Sequence, residues 1–179
     1  MGKTAKPKRI ESGFLNLAGE YRVCSELQKR EIFATITYGQ HKGIDIFVID
    51  DRLNVSLRVE VKTSQKARFV TGISQKKHYV SGQAPDVWVL VLIKPASEGS
   101  YIERFFVLTH SEICAIQKRT NARYARKYFE RHQTQPDTSR GVDNVPLSVV
   151  EPFENQWEKI RALLTKQAES ANPNTSPSR

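Results

Sequence analysis

Three charged residues stand where apolar strands are expected. Asp45 interrupts the run Gly43-Ile-Asp-Ile-Phe-Val-Ile49, and Glu60 and Lys62 interrupt Arg58-Val-Glu-Val-Lys-Thr63. Both runs are rich in β-branched residues, with the polar turn Asp50-Asp-Arg-Leu-Asn54 between them. Side chains alternate along a strand, so Glu60 and Lys62 share one face while Val59 and Val61 share the other. Pairing the two strands as a hairpin brings Asp45 to the same polar corner. A single Asp in a strand is often a satisfied polar group, and Glu-x-Lys on an edge strand is usually a solvated face. An isolated charge in a core is too costly to keep without a partner or a metal. Three such charges at one place point to a site.

The chemistry that such a set supports is phosphodiester cleavage. The reaction needs a nucleophilic water and relief of charge on the leaving oxygen, and a hard cation supplies both. Mg2+ prefers oxygen ligands, usually one or two carboxylates with waters and phosphate. Asp45 and Glu60 supply two carboxylates. Lys62 neutralises the site, orients the water and can assist its deprotonation. The overall charge agrees: 28 Lys and Arg against 19 Asp and Glu give a net charge of +9, which favours a polyanionic partner, above all nucleic acid.

The elements that must position these residues follow from periodicity and punctuation. The 179 residues, 39% of them hydrophobic, fit one globular domain over 12–168 with polar ends. Residues 1–11 read as a flexible basic arm and 169–179 as a disordered tail. Ser12 is expected to cap a helix to about Arg30, with Leu17, Tyr21, Cys24 and Leu27 on its packing face. Glu20 falls on that face, and Glu26 falls outside it as a solvated residue. Strands are expected over 31–38, 44–49, 55–63, 86–93 and 101–108. A short helix capped by Ser74 runs to about Ser81. Ser111 caps a long helix from Glu112 to about His132, with Ile113, Ile116, Thr120, Tyr124 and Tyr128 as its stripe. Residues 133–145 read as a loop, 145–150 as a short extension near a sheet edge, and 153–168 as a final amphipathic helix. Helix, three strands, helix and two strands make an α/β domain with a mixed central sheet.

Asp45, followed after fourteen residues by Glu60-Val-Lys62, resembles the PD-(D/E)XK nuclease superfamily. The resemblance covers about 12–94 and includes the αβββαβ order of a restriction-endonuclease-like core. With Gly19-Glu20, Gly43-Ile-Asp45 and Val61-Lys62-Thr-Ser64, it looks most like the bacterial and phage branch near Holliday-junction resolvases and Mrr-type enzymes. Ile44 stands where the family name has proline. The resemblance implies metal ligation by Asp45, Glu60 and the Val61 carbonyl. It gives Lys62 and Glu20 catalytic roles, Glu20 by holding a metal-bound water or a second ion. Mg2+ is the expected cofactor, with Mn2+ able to substitute, and DNA the expected substrate. Gln75 and Tyr79 match a Gln-x-x-x-Tyr pattern of RecB-like nucleases, for which a helix face is the plainer reading.

Ser64, Gln65, Lys66 and Arg68 follow the lysine and can line a substrate groove. Arg123, Arg126 and Lys127 on the long basic helix can grip a nucleic-acid backbone. His41 lies in a turn near Asp45 and could touch a phosphate, although such residues are more often solvent-exposed. Cys24 and Cys114 read as core residues, with no zinc spacing and no disulfide framework. No apolar run approaches a bilayer-spanning length and no secretory signal follows the basic start, so a cytoplasmic protein without a membrane partner is expected. Cutting both strands needs a homodimer or two visits, and no dimer signature stands out. The leading expectation is a Mg2+-dependent DNA endonuclease. The alternatives are a nucleic-acid-binding module that keeps the nuclease fold without turnover, and an interaction protein whose charge serves solubility or an acidic partner.

Overall fold

A computed structural model describes residues 9–37, 44–73, 84–96, 99–137 and 143–171. The elements are α1 (Ser12–Gln28), β1 (Ala34–Ile36), β2 (Ile46–Asp50), β3 (Val55–Ser64), β4 (Arg68–Val70), β5 (Val87–Pro95), β6 (Tyr101–Thr109), α2 (His110–His132), β7 (Asn144–Pro146), α3 (Leu147–Val150), a 3-10 turn (Glu151–Phe153) and α4 (Glu158–Ala171). The main sheet has the order β1-β2-β3-β5-β6. Among the described strands of this sheet, β3 and β5 run parallel and the other neighbours antiparallel. The expected helix over 74–81, and with it Gln75 and Tyr79, lies outside the described residues, as does His41.

The sheet is covered on both faces, and strand alternation sorts its core into two halves. Val87, Val89, Val91 and Ile93 of β5 join Val59, Val61 and Val107 against Leu15, Val23 and Leu27 of α1 and Ile160 and Leu164 of α4. Trp88, Leu90 and Leu92 face the other way and join Phe106 and Leu108 against Ile113 and Ile116 of α2. Burial on both faces explains why β5 is the most apolar run of the chain. β4 and β7 form a separate two-stranded ribbon on this second face, anchored by fully buried Phe69 and Val145. Among the described residues, no helix is long and apolar enough to cross a membrane.

Several sequence expectations need correction. The buried residues of α1 are Leu15, Gly19, Val23 and Leu27; Leu17 and Tyr21 are 50% and 53% exposed. Apolar character misled there because the helix packs through a glycine. Glu26 is not solvated freely: it pairs with Lys29 and Arg30, which hold its carboxyl below the usual carboxylate range. Thr109 rather than Ser111 caps α2, in a capping box in which Glu112 N–H donates to the Thr109 hydroxyl and Thr109 N–H donates to the Glu112 carboxylate. On α2 the buried stripe ends at Gln117, and Tyr124 is exposed. The first strand shrinks to three residues, because Glu31 turns the chain with a φ of 57°. The final helix starts at Glu158 and continues through Ala171, so 169–171 are helical.

Candidate active site

β2 and β3 part company at Asp45, and the site forms in the gap. The Asp45 backbone is fixed on both sides: its N–H donates to Val59 O at 3.0 Å, and its carbonyl accepts from Thr37 N at 2.9 Å. The next rung toward β3 is made by a side chain. Asp45 Oδ2 accepts from Val61 N at 2.7 Å, replacing a backbone carbonyl that β2 no longer supplies. Bonding groups alternate between the two neighbours of a central strand. Arg58 O accepts from Asp86 N on the β5 side and Val59 O accepts on the β2 side. The Val61 carbonyl therefore faces the β2 side, in the gap beside the Asp45 carboxylate.

Glu60 points to the opposite face from Val61 and is 1% exposed. Lys62, one alternation further, donates from Nζ to Glu60 Oε1 at 2.5 Å. Glu60 lies behind the groove surface, while Lys62 and Asp45 line it. Glu20 reaches the same groove from α1. Its carboxyl is pushed up to about 7, first by burial, then by the Asp45 charge; Lys62 opposes the shift and Glu60 adds to it. The four sequence-predicted residues Glu20, Asp45, Glu60 and Lys62 thus sense one another in the folded chain.

The groove holds about 530 Å³. Ser12 and Asn16 of α1 form one wall, and Arg68, Thr71 and Gly72, at the end of β4, the other; Arg9 and Lys66 add cations. The β4–β7 wall is tied to α2 by a polar chain that starts at buried Thr71 and Gln117. Thr71 Oγ1 donates to Gln117 Oε1 at 2.6 Å, Gln117 Nε2 donates to Asn121 Oδ1 at 2.7 Å, and Asn121 Nδ2 donates to Asp143 Oδ1 at 3.0 Å. Asp143 O in turn accepts from Thr71 N. Gln117 and this wall were missed by sequence reasoning. Asn16 stands one helical turn before Glu20 and was findable by spacing; Thr71 and Gln117 carry no local signal.

Of the predicted nucleic-acid contacts, Lys66 and Arg68 lie on the groove. Arg123, Arg126 and Lys127 are exposed on α2 and none of them lines it. Cys24 is partly buried against the core, its thiol 3.3 Å from Ala34 O. A second cavity of about 440 Å³ adjoins Arg58, Asp86 and His110. It lacks the grouped carboxylates of the first. Its His110 accepts from Trp88 Nε1, and burial pushes its imidazole pKa down.

Among solved structures, the bacterial homing endonuclease I-Ssp6803I is similar, with a TM-score of 0.51 and 12% identity over 89% of this chain and 98% of that one. The fold is restriction-endonuclease-like. The Holliday junction resolvase Hjc of Archaeoglobus fulgidus also matches, with a TM-score of 0.45 and 13% identity over 81% of this chain and 97% of that one. No family model and no curated protein matches the sequence. The expected α/β core with a mixed sheet between helices is the architecture found; Asp45 directly precedes β2, and Glu60 and Lys62 lie on the neighbouring β3.

Among the described residues, no three His, Cys, Asp or Glu side chains form a cluster that could hold a metal. A hard, oxygen-preferring cation does not require one, since Mg2+ commonly takes one or two carboxylates and keeps several waters. An Asp45 carboxylate in the gap, a main-chain carbonyl beside it and Glu60 on the adjoining strand are oxygen donors of that kind.

Proposed function

We propose that the protein is a metal-dependent endonuclease that hydrolyses phosphodiester bonds in DNA. The observation that carries the reading is the Asp45 carboxylate held on Val61 N–H in the strand gap, next to the Glu60–Lys62 pair. An ordinary sheet fills such a rung with a backbone carbonyl. Here a carboxylate does so at the mouth of a groove with a cationic rim. The similarity in fold to a homing endonuclease supports the same reading.

Asp45, Glu60 and the Val61 carbonyl would hold Mg2+, and Mn2+ would substitute because it also accepts oxygen ligands. When bound, the cation makes a water nucleophilic near neutral pH and offsets charge on the leaving oxygen. The chain's own groups do the rest. Lys62, whose Nζ donates to Glu60 at the groove surface, would orient the water and neutralise the phosphate. Glu20, across the groove, holds a further water and keeps bulk solvent from the reacting atoms. Lys66 and Arg68 grip the substrate backbone, and the exposed Arg123, Arg126 and Lys127 take a flanking stretch. A homodimer would place two such sites on the two strands of a duplex.

The test is incubation of supercoiled plasmid with the protein in Mg2+ and in EDTA. Nicked or linear product only with the metal is expected. A mobility shift without cleavage would replace the reading with a binding module, and neither effect would overturn it altogether.

A further inference from the structure

The face of α2 that holds the groove wall does not end with the wall. Gln117 and Asn121, which bind Thr71 and Asp143, stand four residues apart on that face. Tyr124, Tyr128 and His132 carry the same helical stripe onward, at spacings of three and four residues. The buried residues of α2 stop at Gln117, yet the helix runs on to His132. Its last turns therefore take the stripe past the wall into the open, where Tyr124 is 58% exposed. The rings form a ladder, with centroids 6.0 Å apart from Tyr124 to Tyr128 and 4.4 Å from Tyr128 to His132.

A cation directly precedes each ring: Arg123-Tyr124, Lys127-Tyr128 and Arg131-His132. The helix thus presents two adjoining rows, one cationic and one aromatic, with a step of four residues, about 6 Å. Arg126 stands apart from the row, 3.7 Å from Glu130. Phosphates of one duplex strand are spaced by about 3.4 Å along the axis, so the step does not follow a duplex. It suits an unpaired strand drawn out until successive bases reach successive rings. Stacking of this kind needs no particular base sequence.

We infer that the C-terminal part of α2 is a stacking platform for unpaired nucleotides that continues the groove past its Thr71–Gly72 wall. The substrate class is then a nucleic acid with a single-stranded stretch beside the point of cleavage. The inference rests on the nuclease reading for nucleic acid as the ligand of the groove. The rings take the bases, and Arg123, Lys127 and Arg131 take the phosphates. Aromatic pairs at this spacing also steady their own helix, so the experiment has to separate the two roles.

Fluorescence anisotropy in EDTA compares three labelled ligands: a single strand, a blunt duplex, and the same duplex with a single-stranded tail. Tyr124→Leu with Tyr128→Leu keeps apolar, helix-forming side chains and removes two rings. It should weaken binding of the single strand and the tailed duplex at least about fivefold and leave the blunt duplex as in wild type. Phe at both positions keeps the rings and should bind all three as wild type does. Changing Arg123, Lys127 and Arg131 to Ala should lower the single-strand salt slope by about two, whereas the Leu variant should leave that slope alone. Wild-type affinity of the Leu variant for the single strand overturns the inference. So does an equal loss on the blunt duplex, which would make the ladder a support of the helix. Should the double Leu variant fail to fold, Tyr124→Leu alone decides by the same comparison. Cleavage of the tailed duplex in Mg2+ separates the two readings. Ring-dependent binding without cleavage keeps the platform and removes the nuclease; cleavage with ring-independent binding removes the platform alone.

Discussion

Gly19 and Thr63 approach so closely that a β-carbon on the glycine would lie 1.8 Å from Thr63 Oγ1. The backbone of α1 therefore rests on β3, one residue from Glu20 and one from Lys62. Gly19→Ala must push helix and strand apart, and overpacking of this kind costs about 1–3 kcal/mol. We expect a lower urea midpoint and a loss of cleavage as Glu20 is displaced. Adding Thr63→Ala, which removes the nearest atom, should recover part of both. A Gly19→Ala protein as stable and active as wild type would show that this contact does not set the position of α1.

Glu20 gives the metal-free protein a pH signature. Its carboxyl, ordinarily near 4.5, is pushed up to about 7, chiefly by burial and secondly by Asp45. Between those values the folded chain binds more protons than the unfolded chain, so stability falls as pH rises through that window and levels off above it. Glu20→Gln should abolish that fall and leave the protein more stable than wild type above pH 7 in EDTA. Urea denaturation at several pH values checks this; parallel curves for the two proteins would rule out a raised Glu20.

The Glu60–Lys62 pair separates catalytic from structural effects. Lys62→Ala should abolish cleavage and leave duplex affinity nearly intact, since one cation contributes little to non-specific binding. It should also lower stability, because Glu60 then keeps its charge in the interior without that ion pair. Breaking a fully buried pair costs about 3–5 kcal/mol, and less is expected here because Lys62 is 27% exposed at its side chain. Cleavage, mobility shift and melting read the three effects. Retained cleavage would take Lys62 out of the mechanism.

Asp45→Asn should keep the fold and lose the metal. Its amide oxygen can still accept from Val61 N–H, so the rung survives, while the anionic ligand is gone. Calorimetric titration with Mg2+ should show most of the affinity lost at an unchanged melting temperature. Binding equal to wild type would mean that the ligand set is elsewhere.

Gln117 should matter to substrate binding without contacting it. Gln117→Leu leaves the Thr71 hydroxyl buried without its acceptor, a loss of about 1–3 kcal/mol. It also frees the β4–β7 wall from α2. A weaker duplex affinity with unaltered Mg2+ affinity is expected. Equal damage to both would make Gln117 a general support of the fold.

The charged centre was legible because a strand has a two-residue period. Asp45, Glu60 and Lys62 violate an apolar pattern, and the violation is visible in any twenty-residue window. The helix face was not legible in the same way. Hydrophobicity placed Leu17 and Tyr21 inward, whereas the packing is set by Gly19, whose value lies in having no side chain. Glu20 lies on the groove because it follows Gly19, not because it shares a face with Leu17 and Tyr21. The β4–β7 ribbon was out of reach because each strand has three residues and their pairing, Phe69 with Val145, spans the whole β5–β6–α2 unit. The Ile10 main chain and the Gln65 amide, hydrogen-bonded to each other, likewise belong to segments that share no local pattern.

The late arrival of β7 sets an order of assembly. Glu20, Asp45, Glu60 and Lys62 all lie before β4, so they are made well before β7, which pairs with β4. Asn144–Pro146 closes the groove wall only after β5, β6 and α2 have emerged. Contacts between distant segments form slowly, because the intervening loop must first be closed. A nascent chain extended only as far as α2 therefore carries these four residues before the β4–β7 wall of the groove can form.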